Sequence, residues 1–269
     1  MANRKVLIFL IAGIFASILC FGCGSSRSNY VKVVGSTSIQ PFAELLADEY
    51  SRTHQDARLV EVQGGGSTAG IQAAGNKLAD IGMCSRLLSS EETLQFTATV
   101  IARDGLAIVV NPENPISNLS VDQLRGLFSG RIRNWNQVGG MNCQVWPITR
   151  EEGSGTRDAF AKLVMGHEHI SFSALTQESN GAVKELVKGD RGAIGYMSLG
   201  LVNKELKSLL IDSVEATVLN IQTGSYQLNR PFLFVVKGDP NPETRKFIDF
   251  VLSDAGQKIL TSEGLVSAK

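Results

Sequence analysis

Three short segments of this 269-residue chain combine glycine with side-chain hydroxyls: Gly35-Ser36-Thr37-Ser38, Gly66-Ser67-Thr68 and Gly153-Ser154-Gly155-Thr156. Each stands where an apolar run ends and helical periodicity begins. A helix start leaves its first amides unpaired and carries about half a positive charge from the aligned peptide dipoles. Glycine lets a ligand approach the backbone, and hydroxyls add short, rotatable donors. One such loop is a modest anion site, and three facing a cleft could surround a tetrahedral oxyanion without a dense cluster of cations. Taken singly, each loop also fits ordinary N-cap chemistry. Arg150, four residues before Ser154 and at the end of an apolar strand, adds a forked, permanently charged donor suited to oxyanions. Glu151 and Glu152 offer a plainer partner for it in a surface cluster. Adjacent residues on an extended segment point oppositely, which argues against that pairing.

Other chemistries find little support. No GxxxxGK[ST] occurs, and the Gly64–Gly70 run lacks the acidic residue that a dinucleotide fingerprint needs further on. His54, His167 and His169 form no HExxH, and the one CxxC, Cys20–Cys23, lies in the N-terminal apolar segment with no second pair to complete a zinc site, so neither a metal nor a cofactor is expected. A hydrolase using Ser154 as nucleophile would need a histidine beside that loop. Positive and negative residues both number 26, leaving no basic field for nucleic acid.

The elements that must position these loops alternate along the chain. Strand patterns at Val31–Val34, Arg58–Gln63, Ala79–Gly82, Ile101–Val110, Gln144–Thr149, Ala193–Met197 and Pro231–Val236 are interleaved with helical periodicity. Ser120 and Gln123 form a capping box, and Asn241-Pro242 opens a last helix pair that Gly264 stops. The fold class is α/β. Pro/Asn-marked passages near Asn111–Pro115 and Gly224–Pro231 read as two crossovers. They divide the chain into one lobe of residues 30–110 plus 230–269 and another of residues 111–229, with a hinge and a cleft between.

At the N-terminus, Arg4 and Lys5 precede the uncharged run Val6–Phe21, shorter than the roughly 20 residues of a membrane span. A basic start, an apolar stretch and small residues describe a secretory signal. Gly22-Cys23 resembles a bacterial lipoprotein signal, although Cys20 and Phe21 depart from its usual upstream residues; an uncleaved anchor helix is the alternative. Residues 1–22 would be the signal and residues 23–29 a polar tether. Cys84 and Cys143, placed in different lobes, are expected as free buried thiols.

With these residues assembled, the chain resembles the phosphate-binding proteins of the bacterial high-affinity phosphate ABC importer, in their shorter form. The resemblance is carried by Gly35-Ser36-Thr37-Ser38-Ile39-Gln40-Pro41, Gly66-Ser67, Ala79-Asp80-Ile81-Gly82 and Arg150–Thr156, in the family's order, and it spans residues 29–269. It implies a two-lobe periplasmic binding protein fold, type II-like, with inorganic phosphate as ligand and the permease subunits as partners. It also implies a monomer without enzymatic activity, lipidated at Cys23 and held at the outer face of the cell membrane, on the periplasmic side in a Gram-negative cell. Position by position, Ser36, Thr37 and Ser38 serve from the first loop and Ser67 from the second. Arg150, Ser154, Gly155 and Thr156 serve from the other lobe.

One departure affects selectivity. The aspartate that is the sole acceptor in the long members falls on Ser85, within Met83-Cys84-Ser85-Arg86. A carboxylate accepts phosphate's proton and repels sulfate, whereas a serine can rotate and donate, giving a weaker filter. Arg86 would supply a second cation to the site or, alternatively, form a salt bridge on the lobe surface. A receptor for sulfate, molybdate or another oxyanion, and a sensory or adhesion module without transport, stand as alternatives.

Overall fold

The computed structural model describes residues 30–269; the export signal, the tether and Cys23 lie outside the described residues. The chain begins with β1 (Tyr30–Gly35), α1 (Gln40–Thr53), β2 (Leu59–Gly64), α2 (Ser67–Gly75), β3 (Ile81–Cys84), α3 (Ser90–Gln95) and β4 (Thr97–Val110). Next come β5 (Asn118–Leu119), α4 (Val121–Ser129), β6 (Trp146–Arg150), α5 (Gly155–Phe160), β7 (Leu175–Gln177), α6 (Asn180–Gly189) and β8 (Ala193–Ser198). It ends with β9 (Lys207–Ser208), β10 (Leu210–Ile211), α7 (Val218–Gln222), β11 (Asn229–Val236), α8 (Pro242–Leu252), α9 (Asp254–Ser262) and β12 (Val266–Ser267).

Local chemistry explains where several of these begin and end. Pro41 sits in the first turn of α1, where a missing N–H costs nothing, and Phe42, Leu46 and Tyr50 form its buried stripe. Ser120 and Gln123 make the reciprocal capping box of α4, and Gly130 ends that helix in the left-handed region. Asn241 caps α8 ahead of Pro242.

The main path of the sheet runs β2-β1-β3-β11-β4-β8-β6-β7. In the first lobe β1 pairs in parallel with β2 and β3, so the loops at their C-terminal ends emerge on one edge, where open α/β sheets place ligands. The two lobes share β4. Its Thr97–Gly105 portion pairs with β11, and its Leu106–Val110 portion pairs with β8. The change of partner therefore lies inside a strand, at Gly105–Leu106, and not at Asn111–Pro115. The Asn/Pro signal instead marks the turn beyond β4, where Asn111 and Asn114 accept from the amides of Glu113 and Ile116.

Each lobe has its own apolar centre. Val31, Val33, Phe42, Leu46, Phe232, Phe234 and Phe247 pack together on one side. Leu106, Ile108, Leu127, Phe128, Phe160 and Tyr196 do so on the other. In the second core the Phe160 and Tyr196 rings stack with centroids 4.0 Å apart and an interplanar angle of 5°. Cys84 is buried and Cys143 is partly exposed, both as free thiols; burial in apolar surroundings pushes the Cys84 thiol up. Phe160→Ala is expected to destabilise the protein by about 3–5 kcal/mol, the range for deleting a buried aromatic ring, measured by urea unfolding.

Candidate anion-binding site

The first and second loops meet over the end of β3. Ser36 donates its amide to Met83 O at 3.0 Å and its hydroxyl to Ser85 Oγ at 2.8 Å, while Ser38 N donates back to Ser36 Oγ. From the second loop, Ser67 Oγ accepts the Ser85 amide at 3.0 Å and lies 3.3 Å from Ser85 Oγ. Gly66 precedes α2 at φ +90°, a conformation that favours glycine.

The third loop arrives from the other lobe and touches both. Gly153 O accepts the Thr68 amide at 3.0 Å, and Thr156 Oγ1 is 2.9 Å from Ser38 Oγ. A Cβ added to Gly155 would come within 2.7 Å of Ser85 Oγ and closer still to Ser67 Oγ, so this contact requires glycine. Ser154 uses its hydroxyl as the N-cap of α5, accepting the Arg157 amide at 3.4 Å. Ser36, Ser38, Ser67, Ser85, Ser154 and Thr156 are all buried. Sequence-distant hydroxyls from the three loops thus converge.

Arg150 is 1% exposed. Its backbone is fixed by Tyr196, whose hydroxyl accepts the Arg150 amide and bonds Thr149 Oγ1; burial pushes that phenol up to about 12. Nη2 donates across the lobes to Thr37 Oγ1 at 3.1 Å. Contrary to the expectation from strand alternation, Glu151 also pairs with it, accepting from Nε at 2.9 Å and Nη2 at 3.0 Å. β6 ends at Arg150, so Glu151 belongs to the turn and its carboxylate curls back. Gln177 O and Glu178 O accept from the same edge of the guanidinium. Nη1 is buried and has no hydrogen-bond partner among the described residues.

Of the two roles expected for Arg86, the structure shows the salt bridge and not a place among these hydroxyls. Its guanidinium forks onto Glu92 at 2.7 and 2.9 Å, and its Nε lies 2.9 Å from Asp158 Oδ2 in α5. Hydrogen bonding to Glu92 holds its pKa further above the usual value. Burial pushes the Asp158 carboxyl up while Arg86 pulls it down. Arg86 therefore acts as a tie between the lobes.

Three residues that the sequence reading missed complete the cluster. Asn180 donates from Nδ2 to Ser38 Oγ at 3.0 Å and accepts the Ser198 amide. Arg230, 2% exposed, donates from Nη2 to Ser38 Oγ at 3.1 Å and forks onto Asp104 Oδ2. The buried Asp104 also accepts from Ser198 Oγ and the Leu199 amide. Burial pushes its carboxyl up and Arg230 down, and their mutual attraction opposes both shifts. The available signal was charge out of place: Arg103-Asp104 interrupts an apolar run, and Arg230 opens another.

This collection is rich in donors, and its serines act as caps and cross-links. Such an arrangement holds an oxyanion by dipoles and guanidinium groups. Gly155→Ala is expected to keep the lobes apart, seen as a larger radius of gyration in X-ray scattering. An unchanged value would mean that Ser67 and Ser85 move aside.

Comparison with known proteins gives this geometry a context. A PBP superfamily domain profile matches residues 24–255. The phosphate-binding protein PstS of Bacillus subtilis is 28% identical over 98% of this chain and 94% of its own; that of Staphylococcus epidermidis is 30% identical over 88% and 78%. A Clostridium perfringens structure with bound phosphate superposes with a TM-score of 0.86 at 36% identity, covering 89% of this chain and all of its own. An ABC-type phosphate transport receptor from Vibrio cholerae gives 0.74 at 39% identity, covering 88% and 99%. The chain belongs to the PBP superfamily and, within it, to the family of the phosphate-binding proteins PstS.

Proposed function

We propose that this protein is an extracytoplasmic receptor that captures inorganic phosphate between its lobes and delivers it to the permease subunits of an ABC importer, with no reaction of its own. The observation that carries this reading is the buried hydroxyl cluster built from both lobes beside Arg150, whose Nη1 is unbonded among the described residues. Ser36, Thr37, Ser38 and Ser67 would serve from one lobe, with Ser85 between them. Arg150, Ser154, Gly155 and Thr156 would close from the other.

Capture follows from the division of donors. With the lobes apart, a tetrahedral anion meets only half of them; with the lobes together, it meets all. Hydrogen bonds to a charged group are worth about 1.5–3 kcal/mol each. A few gained on closing therefore bias the equilibrium strongly toward the closed form, because a ligand shifts populations only by its differential affinity. One observation favours a second reading, a receptor for sulfate or molybdate: Ser85 stands where a carboxylate would otherwise test for a proton.

The same reading places the protein on the outer face of the cell membrane as a monomer, with residues 1–22 removed, a lipid on Cys23 and residues 23–29 as tether. In a Gram-negative cell this is the periplasmic side.

Calorimetry with phosphate, arsenate, sulfate and molybdate checks the ligand. Phosphate is expected to bind most tightly, and binding of sulfate or molybdate alone would replace this reading with the second. Arg150→Ala is expected to weaken phosphate binding by about 10–100-fold, the equivalent of one lost charged hydrogen bond. Cys23→Ala is expected to move the protein from the membrane fraction to the soluble fraction on ultracentrifugation, whereas retention in the membrane would overturn the lipid assignment.

A further inference from the structure

We propose that Arg230, held by Asp104, is a second ligand-binding cation and that the site it completes selects the doubly charged form of its oxyanion. This inference rests on the phosphate reading above and adds to it a residue and a charge preference.

The first observation is placement. Arg230 faces Asp104 directly across the β4–β11 ladder, in the register next to the Asn229–Gly105 pair where that ladder ends. It reaches Ser38 Oγ in the first loop at 3.1 Å, and that same oxygen is bonded by Asn180 and Thr156 from the other lobe. Any ligand oxygen that meets the Ser38 hydroxyl is therefore one hydrogen bond from the guanidinium.

The second observation is what the guanidinium lacks. Asp104 and Ser38 occupy its Nε and Nη2 edge. Its Nη1 is buried and unbonded among the described residues, the same condition as Nη1 of Arg150. A buried donor on a charged group left without an acceptor costs about 1–3 kcal/mol or more. Guanidinium groups are donors only, so two such N–H groups beside one hydroxyl cluster call for an acceptor with several oxygens.

The third observation concerns acceptors for the ligand's own proton. The carboxylates that pair with the two arginines already have both oxygens engaged. Asp104 Oδ1 accepts from Ser198 Oγ and Leu199 N, and its Oδ2 accepts from Arg230. Glu151 holds Arg150 with one oxygen on Nε and the other on Nη2. Other titratable and charged groups near this pair are Arg150 from β6, the Cys84 thiol from β3 and the Tyr226 phenol. Arg86, Asp158 and Lys162 share with it the walls of an adjoining cavity, and Arg86 and Asp158 form an ion pair there. Among the described residues, a protonated ligand oxygen thus finds hydroxyls, which must first rotate, and carboxylate oxygens that already hold a guanidinium. The monoanion of phosphate brings two such protons and the dianion one, so the demand is smaller for the doubly charged form.

Calorimetric titration of the full-length protein with inorganic phosphate at a series of values from about pH 6 to pH 8 tests this. Below the second ionisation of phosphate the affinity is expected to fall by about tenfold per pH unit, following the loss of dianion. Sulfate, ionised throughout, is expected to compete with little change over the same range. A pH-independent phosphate affinity would overturn the charge preference.

Arg230→Gln alone strands the Asp104 carboxylate, so the paired variant Asp104→Asn with Arg230→Gln is the working one, with its melting temperature as the control for folding. It is expected to bind phosphate at least tenfold more weakly and with a flatter pH profile. Wild-type affinity and slope in the folded double variant would reduce Arg230 to a hinge residue and overturn its ligand role. If the double variant does not fold, the wild-type pH series with sulfate competition still decides the charge preference. Wild-type protein that binds no phosphate at any pH would sink the functional reading as well, which separates the two failures.

Discussion

The hydrogen bonds that converge on Ser38 Oγ are the interaction on which the rest of the structure depends. Thr156, Asn180 and Arg230 all lie within 3.1 Å of this one oxygen, and they come from α5, α6 and β11. A hydroxyl can donate or accept, so the serines and threonines of the three loops can satisfy one another across the gap. The arginines lack that freedom. The site therefore combines adaptable groups, which let the lobes meet, with fixed donors, which give an anion its advantage.

Much of this was legible in the chain itself. The three glycine–hydroxyl loops are local signals, and the structure brings them together at one end of the shared sheet. The Ser120–Gln123 box and Asn241-Pro242 are equally local and appear as helix starts. What the chain alone left open is decided by where elements end and which of them pack together. Glu151 turns back onto Arg150 because it lies just past the end of β6, where strand alternation no longer sets side-chain direction. Arg86 is drawn to Glu92 and to Asp158, a residue 72 positions further along. The cation beside Ser38 is Arg230 instead, and only the antiparallel register of β4 and β11 brings it to Asp104.

The family resemblance and the residue-level reading support each other without being interchangeable. Resemblance supplies the fold and the identity of the loops. Physical reading adds what the residues themselves do: a serine, Ser85, bonded to both Ser36 and Ser67, a cation taken by two carboxylates, and a buried ion pair where the lobes join. Buried pairs of this kind contribute little net stability, since desolvation offsets attraction. Retaining one beside the site is easier to understand as positioning than as reinforcement.

The shared strand β4 has a mechanical consequence. It is a single unbroken segment belonging to both lobes, so the halves cannot drift apart as if on a slack tether. Separation must be taken up as torsion about a few backbone bonds near Gly105, with each sheet swinging as a stiff lever. A modest local rotation there becomes a large displacement at the far rims, so the gap can gape while both cores stay intact.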